Sequence, residues 1–139
     1  MKKREPISSI MTKNVITLNH TDDLETAERI FKSKKIRHIP VVSGEAIIGI
    51  LSYTDLLRIS FADSIGEDET DIDTTVYNMF TIEQVMAKNL VSVESTSSIK
   101  EVAEILAKKE FHALPVVDDG KLVGIVTTTD LINYLIAQF

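Results

Sequence analysis

Two short segments of this 139-residue chain combine hydroxyl groups with a carboxylate at a fixed spacing. Ser52 and Asp55 follow an apolar run three positions apart, and Thr127 and Asp130 repeat the arrangement. Such a pair can bond the unpaired amides at the start of a helix as a capping box. It can equally bind a nucleotide, because an acid at a strand end accepts ribose hydroxyls and helix-start amides favour phosphate. The spacing alone leaves both interpretations open.

The two segments belong to a longer internal repeat. Residues 49–56 (GILSYTDL) recur as residues 124–131 (GIVTTTDL). The same offset, without a gap, matches further residues: Met11 with Met86, Asn14 with Asn89, Pro40 with Pro115 and Val42 with Val117. A glycine at the head of each segment permits close packing or the close approach of a flat ligand. Whatever the segment does, the chain is therefore expected to do twice.

The negative charge of the chain has a local origin. The net charge is −6 and the pI is near 5.0. The acidic residues concentrated between positions 63 and 73 are Asp63, Glu67, Asp68, Glu69, Asp71 and Asp73. The other 15 acidic residues balance the 15 basic ones, so the body lacks the broad basic surface that nucleic-acid binding needs. We interpret the acidic stretch as a solvated linker, because it lacks the ligand spacing of a calcium loop.

Composition also disfavours catalytic and membrane proteins. The chain has no cysteine, which excludes disulfides, thiolate metal sites and thiol nucleophiles. Its three histidines have no spacing to carboxylates that is typical of a metal site or a catalytic triad. We therefore expect no metal site and no enzymatic activity. No apolar run approaches the roughly 18 residues of a membrane span, and the basic residues 1–6 precede no signal-type segment. We therefore expect a cytoplasmic protein.

The apolar pattern predicts the same order of elements in each half. The elements of the first half are a lead-in at 7–11, a strand at 15–18, a helix capped by Thr21 or Asp22, strands at 36–42 and 46–51, and a helix at 53–62. Those of the second half are a lead-in at 82–86, a strand at 90–93, a helix at 97–109, strands at 113–117 and 121–127, and a helix at 128–138. Asp119-Gly120 is typical of a hairpin turn, and Pro40 suggests an edge strand or a cleft.

This β-α-β-β-α order, present twice, predicts an α+β protein. The expected organisation is a first repeat at 1–62, an acidic linker at 63–80 and a second repeat at 81–139. Because one repeat is too small to bury a sufficient core alone, we expect the two to pack about a pseudo-twofold axis. The last helix carries more apolar residues than one face can bury: Leu131, Ile132, Leu135, Ile136 and Phe139. We expect some of them at the interface of a homodimer.

The paired segments resemble the CBS domain, the regulatory repeat named after cystathionine β-synthase, in its tandem form, the Bateman module. The resemblance rests on the Gly-to-Asp segments at 49–55 and 124–130 and on the Pro-Val-Val strands at 39–42 and 114–117. It covers nearly the whole chain except residues 61–80. It implies two clefts between the repeats, which in many members bind AMP, ADP, ATP or S-adenosylmethionine as regulatory ligands, with no required cofactor.

The resemblance also implies a role for each matching position. Ribose hydroxyls would bind Asp55 and Asp130, and ribose or phosphate oxygens would contact Ser52, Thr54, Thr127 and Thr129. The base or sugar would lie along Ile50 and Ile125, and phosphates would face Arg37, His38 and His112. The Asp130 cleft would add Ile16, Ile36 and the His38 backbone, and the Asp55 cleft would add Val91, Phe111 and the Ala113 backbone.

Two functions remain open at this point. One is a sensor that binds an adenosine nucleotide and signals to a partner protein by a conformational change. The other is a dimerisation or scaffold module whose clefts stay empty, since a fold does not by itself establish a function. If nucleotides bind, the two clefts need not have equal affinity, because Arg37-His38 of the first repeat is replaced by His112-Ala113 in the second.

Overall fold

The structure is a computed structural model that describes residues 4–63, 77–109 and 111–139. The chain divides into two compact units. The first unit is Ile16–Asn89, and the second unit combines Met1–Val15 with Leu90–Phe139. Mixed helices and strands in each unit confirm the predicted α+β class.

The first unit contains a three-stranded sheet with its helices. Its elements are β1 (Leu18–Asn19), α1 (Leu24–Lys34), β2 (His38–Ser43), β3 (Ala46–Ser52), α2 (Tyr53–Asp63) and α3 (Ile82–Val85). The strand order is β1-β2-β3, with β1 parallel and β3 antiparallel to β2. The strand predicted at 15–18 is thus a shorter one that begins at its last residue.

The start of α1 differs from the prediction. Neither Thr21 nor Asp22 caps the helix; the cap is Asp23, whose carboxylate accepts from Thr26 N at 2.8 Å. The Asp22 carboxylate accepts instead from Asn19 N, also at 2.8 Å, in the turn that precedes the helix. Short polar side chains compete for nearby amides in turns as well as at helix starts, so their order along the chain did not identify the cap.

Pro40 lies in the central strand of this sheet, so β2 is not an edge strand. The neighbouring β1 pairs only with Val41 and Val42, beyond the proline. The missing N–H of Pro40 therefore leaves no gap in the described ladder, because pairing on that side begins after it. Of the two expectations for Pro40, an edge strand or a cleft, the edge strand is wrong.

The second unit repeats the plan with a smaller sheet. Its elements are a 3-10 turn (Ile7–Ser9), α4 (Ile99–Lys109), β4 (Ala113–Asp118), β5 (Lys121–Thr127) and α5 (Thr128–Ala137). The strand predicted at 90–93 is reduced to one parallel bridge between Val93 and Val116. Asp119 and Gly120 turn the chain with φ of 51° and 80°, which confirms the predicted hairpin.

Each unit has a core of its own on one face of its sheet. The buried residues of the first core are Leu18, Leu24, Ala27, Phe31, Ile39, Val41, Leu51, Leu56, Tyr77, Ile82 and Met86. Those of the second are Ile7, Val93, Ile99, Val102, Leu106, Leu114, Val116 and Val126. Ile7 thus packs with residues of the second half of the sequence, and Ile82 packs mainly with residues of the first half.

The two lead-ins are exchanged between the sequence halves. In the first unit, Ile50 and Ala87 exchange both backbone hydrogen bonds, at 3.1 and 2.9 Å. In the second unit, Thr12 and Ile125 do the same at 2.9 and 3.0 Å. Each lead-in therefore pairs with a strand of the other repeat. The repeat boundaries at 1–62 and 81–139 describe the sequence, whereas the compact units place each lead-in with the other half.

The two repeated glycines explain this exchange sterically. A Cβ atom on Gly124 would lie 2.6 Å from the Met11 sulfur and 2.9 Å from the Thr12 oxygen. A Cβ atom on Gly49 would collide with Met86 and lie 2.9 Å from the Ala87 oxygen. Of the two roles expected for these glycines, the structure shows close packing, here against the lead-in. The contact between a methionine and a glycine therefore occurs once in each unit, as Met86 with Gly49 and as Met11 with Gly124.

The last helix, α5, leaves part of its apolar surface exposed. Ile132, Leu135 and Ile136 are 51%, 48% and 63% exposed, whereas Leu131 packs against the core of the second unit. Within the described ranges, no helix has both the length and the hydropathy needed to cross a membrane.

Candidate functional site

Three predicted site residues of the first unit lie on the sheet face that turns away from its core. Successive side chains of a strand point to opposite faces. Because Leu51 is in the core, its neighbours Ile50 and Ser52 lie on the other face. His38 pairs with Ser52 in the register of β2 and β3, so it joins them there. Strand alternation alone thus gathers three of the predicted residues.

The start of α2 adds further predicted residues to this edge of the sheet. Tyr53 N donates to the Arg37 oxygen at 2.8 Å, and Asp55 N donates to Ser52 Oγ at 3.0 Å. The side chains of Arg37 and Thr54 are exposed, and that of Asp55 is half-buried. Two of the first helix amides are therefore already bonded to the protein.

The second unit builds the same arrangement from the matching positions. Ala113 pairs with Thr127 in the register of β4 and β5, and Thr128 N donates to the His112 oxygen at 3.0 Å. Ile125 lies two residues before Thr127, on the same face of β5. The duplication seen in the sequence is thus a duplication of backbone geometry.

The two acidic residues are held differently. Asp130 completes a capping box: its Oδ2 accepts from Thr127 N at 2.9 Å, and its own amide donates to Thr127 Oγ1 at 3.1 Å. Asp55 keeps the second of these bonds, but its carboxylate faces Arg58, with 3.4 Å between Oδ1 and a guanidinium nitrogen. Helix capping, one of the two roles left open by the sequence, is therefore complete in one repeat and partial in the other.

Three apolar residues of this face are buried without being members of either core. Ile50 is 7% exposed, and Ile125 and Ala113 are each 8% exposed, yet none of them belongs to the core cluster of its unit. They lie beside the polar residues of the motif, so apolar and polar residues adjoin on this face of each sheet.

The predicted site residues form two groups, one in each unit. The first unit holds Ile16, Ile36, Arg37, His38, Ile50, Ser52, Thr54 and Asp55. The second holds Val91, Phe111, His112, Ala113, Ile125, Thr127, Thr129 and Asp130. Each group contains one copy of the motif, and the residues that the resemblance adds from the opposite repeat belong to the other unit.

One residue of the site was missed by the sequence analysis. Arg58 contacts Asp55 from one turn further along α2, and the matching position in α5 is Asn133. Comparing the repeats beyond the motif would have revealed a charge that only one of them carries. Among residues 4–63, 77–109 and 111–139, no three acidic or histidine side chains are grouped as ligands for a metal ion.

A comparison with known families identifies the repeat. The model of the CBS domain matches this chain twice, at residues 7–62 and 82–137. The chain belongs to the CBS domain family. The two matches confirm the family that the Gly-to-Asp segments and the Pro-Val-Val strands resemble. Each match begins at a lead-in.

The chain is similar to parts of longer proteins and to a solved CBS domain pair. "Uncharacterized protein MJ1225" of Methanocaldococcus jannaschii is 32% identical over 94% of this chain, and homoserine O-acetyltransferase of Methanohalobium evestigatum is 30% identical over 96%. The chain spans only 43% and 24% of these two proteins. Among solved structures, the CBS domain pair of protein MJ0100, in complex with 5′-methylthioadenosine and S-adenosyl-L-methionine, is 25% identical with a TM-score of 0.80. That match covers 96% of this chain and 98% of the MJ0100 pair.

Proposed function

We propose that this CBS pair is a regulatory module that binds an adenosine-containing ligand: AMP, ADP, ATP or S-adenosylmethionine. The observation that carries the proposal is a repeated group: a Ser or Thr hydroxyl and an apolar residue on the sheet face away from each core, with a carboxylate in the first turn of the next helix. A vicinal diol fits a carboxylate that accepts two hydrogen bonds, and the adenine ring fits the apolar side chains. The MJ0100 pair, which is 25% identical, is bound to two adenosine compounds.

The proposal assigns each residue the role that its position suits. Asp55 and Asp130 accept the ribose hydroxyls, and the hydroxyls of Ser52, Thr54, Thr127 and Thr129 contact ribose or phosphate. Arg37, His38 and His112 attract phosphates. Ile50 and Ile125 contact the base or sugar, together with Ile16, Ile36, Val91, Phe111 and the Ala113 backbone. None of these roles needs proton transfer, so the proposed module is not an enzyme.

Signalling follows if the ligand binds two arrangements of the module with different affinity. The resemblance assigns residues of both units to each ligand, so a bound nucleotide would favour one arrangement of the units. A partner protein in the cytoplasm would then recognise the surface that changes. Amide exchange and solution scattering with and without saturating AMP, ATP or S-adenosylmethionine measure this effect, and unchanged profiles for a bound ligand would count against it.

The decisive experiment is thermal unfolding of nucleotide-free protein with AMP, ADP, ATP or S-adenosylmethionine at about 1 mM. A ligand present at about 100-fold its dissociation constant adds about 2.7 kcal/mol to the free energy of unfolding, which raises the midpoint by several degrees. We expect the shift to fall in Asp55→Ala and Asp130→Ala. GTP is the matched control ligand. No shift with any adenosine compound would contradict the proposal.

The exposed face of α5 favours a second function, assembly of a homodimer, which can accompany nucleotide binding or replace it. Ile132 and Ile136 are more than half exposed, and burying them against a second copy would remove apolar surface from water. We expect a dimer in sedimentation, and Ile136→Glu should yield monomers. Asn133→Glu, on an exposed polar position of the same helix, is the control. A wild-type protein that is a monomer and binds no nucleotide would contradict both functions.

A further inference from the structure

The two copies of the motif differ in one hydrogen bond. In the second unit, the Asp130 carboxylate accepts from the Thr127 amide at 2.9 Å and closes the capping box. In the first unit, the described contacts include no bond from the Ser52 amide to the Asp55 carboxylate. That carboxylate faces Arg58 at 3.4 Å instead. The same motif is therefore closed in one repeat and half-open in the other.

The charge that accompanies this difference is present in one repeat only. Arg58 lies one helical turn after Asp55, whereas the matching position after Asp130 is the uncharged Asn133. Ionic side chains three positions apart on a helix are neighbours and attract one another. The Arg58 side chain is 74% exposed and that of Asp55 is 27% exposed. The guanidinium can therefore follow the carboxylate, since little else confines it.

We propose that Arg58 is a positioning residue, which keeps the Asp55 carboxylate outside its capping box and makes the Asp55 motif the stronger acceptor of a vicinal diol. This inference rests on the proposed function and adds to it which of the two motifs is occupied first. To accept two hydroxyls with both oxygens, Asp130 must share or give up its bond from the Thr127 amide. Asp55 has no such bond to give up.

The cost of opening the box sets the expected difference in affinity. Loss of one capping interaction corresponds to about a fivefold change in an equilibrium constant. Arg58 can move with the Asp55 carboxylate, because its side chain is 74% exposed, so binding of a diol does not require this contact to break. We therefore expect the Asp55 motif to bind a diol about fivefold more tightly than the Asp130 motif does, from this difference alone.

The test exchanges the residues that differ between the repeats and measures binding of AMP, ATP and S-adenosylmethionine by titration calorimetry. Arg58→Asn gives the first motif the residue of the second, and should weaken the stronger class of site by about fivefold. Arg58→Lys keeps the charge and should bind like the wild type. Asn133→Arg should strengthen the weaker class. The analogue 2′-deoxy-AMP, which lacks the diol, should show less difference between the two classes.

A second measurement reads the capping bond without a ligand. In Arg58→Asn, the Asp55 carboxylate should turn back to the Ser52 amide, and hydrogen exchange at that amide should slow. The Thr127 amide is already bonded, so its exchange should stay unchanged. A general change in stability would alter exchange at both amides, which separates positioning from a purely structural effect. Unchanged exchange at Ser52 would overturn the inference.

The remaining outcomes separate this inference from the proposed function. Equal affinity of the two classes overturns the inference and leaves the proposed function intact. The same conclusion follows if the stronger class of site disappears in Asp130→Ala and does not respond to Arg58→Asn. If AMP, ATP and S-adenosylmethionine all fail to bind the wild type, the proposed function and the inference both fail.

Discussion

Gly49 and Gly124 show what a single residue contributes in this fold. In each unit the glycine lies under a methionine and the backbone oxygen of a lead-in. Only a residue without a Cβ atom allows that approach. The duplication of Met11 and Met86 with their glycines is therefore explained by packing, which leaves the hydroxyls and the carboxylate as the part of the repeat with functional potential.

The change Gly49→Ala should destabilise the first unit. The new Cβ would lie 2.9 Å from the Ala87 oxygen, a backbone atom that cannot move by a rotamer change. Overpacking of this kind costs about 1–3 kcal/mol, which urea unfolding measures. Met86→Ala in the same chain should not restore stability, because the backbone contact persists. A Gly49→Ala protein as stable as the wild type would show that the lead-in is not packed on β3.

Asp118 allows a prediction about acid stability. Its pKa is lowered from the ordinary 3.8 because Ser95 Oγ donates to one carboxylate oxygen at 2.5 Å and Ser95 N to the other at 3.0 Å. A carboxyl with a lowered pKa in the folded state adds stability above its ordinary pKa and loses it as the pH falls through the folded-state pKa.

The change Ser95→Ala should therefore lower the free energy of unfolding at neutral pH, and its deficit should shrink below pH 3.8. Urea unfolding of the wild type and the variant across this range measures the deficit. Asp118→Asn is the control, since it removes the titrating group and should make the effect of Ser95→Ala independent of pH. A deficit that grows in acid would have the wrong sign.

At the scale of elements, the exchange of lead-ins decides which parts of the chain stabilise each other. Ile7 is fully buried with residues of α4, β4 and β5, and Ile82 is fully buried with residues of α1, β2 and β3. A substitution in one half of the sequence is thus expected to affect the other half.

The changes Ile7→Ala and Ile82→Ala form a matched pair for this prediction. Each should cost about 2–5 kcal/mol, the usual effect of truncating a buried isoleucine. Amide exchange should rise in Ala113–Asp118 and Lys121–Thr127 for Ile7→Ala, and in His38–Ser43 and Ala46–Ser52 for Ile82→Ala. The reverse assignment would show that each lead-in packs on its own repeat.

Much of the element order could be predicted because its signals are local. The turn at Asp119-Gly120, the apolar face of α1 and the Thr127-x-x-Asp130 cap each depend on residues a few positions apart. The errors arise where two residues compete for the same role or where residues distant in sequence meet. Asp23 and Asp22 are equivalent by residue type, and only the path of the turn decides between them. The contact of Gly49 with Met86 joins distant positions, so the repeat indicated that both residues matter without indicating that they meet.

The candidate site was predictable to the same extent. Offset matching identified the motif in both repeats, whereas the face of the sheet on which its strand residues lie became visible only from the strand register. The unequal hydrogen bonds of Asp55 and Asp130 were not predictable from the motif, because Arg58 lies outside it and acts through side-chain geometry. The difference became visible only when both carboxylates could be followed to their partners.

At the scale of the whole molecule, the chain passes between the compact units more than once. It enters the first unit after Val15 and returns to the second after Asn89. Each unit is therefore built from pieces on both sides of the acidic stretch at 63–73, most of which lies outside the described residues. A cut in that stretch would therefore give two fragments, each of which contains part of both units.

Cleavage between residues 69 and 70 should leave a folded complex of two fragments. Fragment 1–69 contains Ile7, which completes the second unit, and fragment 70–139 contains Ile82 and Met86, which complete the first. Native mass spectrometry after cleavage at an inserted protease site should show the two fragments together at the mass of the whole chain. Each fragment expressed alone lacks part of a core and should show little protection from amide exchange, and mixing should restore it.

The variants Ile7→Asp and Ile82→Asp provide the control for the cut chain. Each places a charge in a core at a position that is fully buried, which is strongly unfavourable without a partner. In the uncut chain the tether should keep the pieces at high effective concentration, so the same substitutions should be better tolerated there. In the cut chain the two substitutions together should release the fragments, because either one alone leaves a unit that still joins them. If the fragments of the otherwise unaltered cut chain separate as folded monomers, the compact units must coincide with the sequence repeats, and the exchange of lead-ins would be wrong.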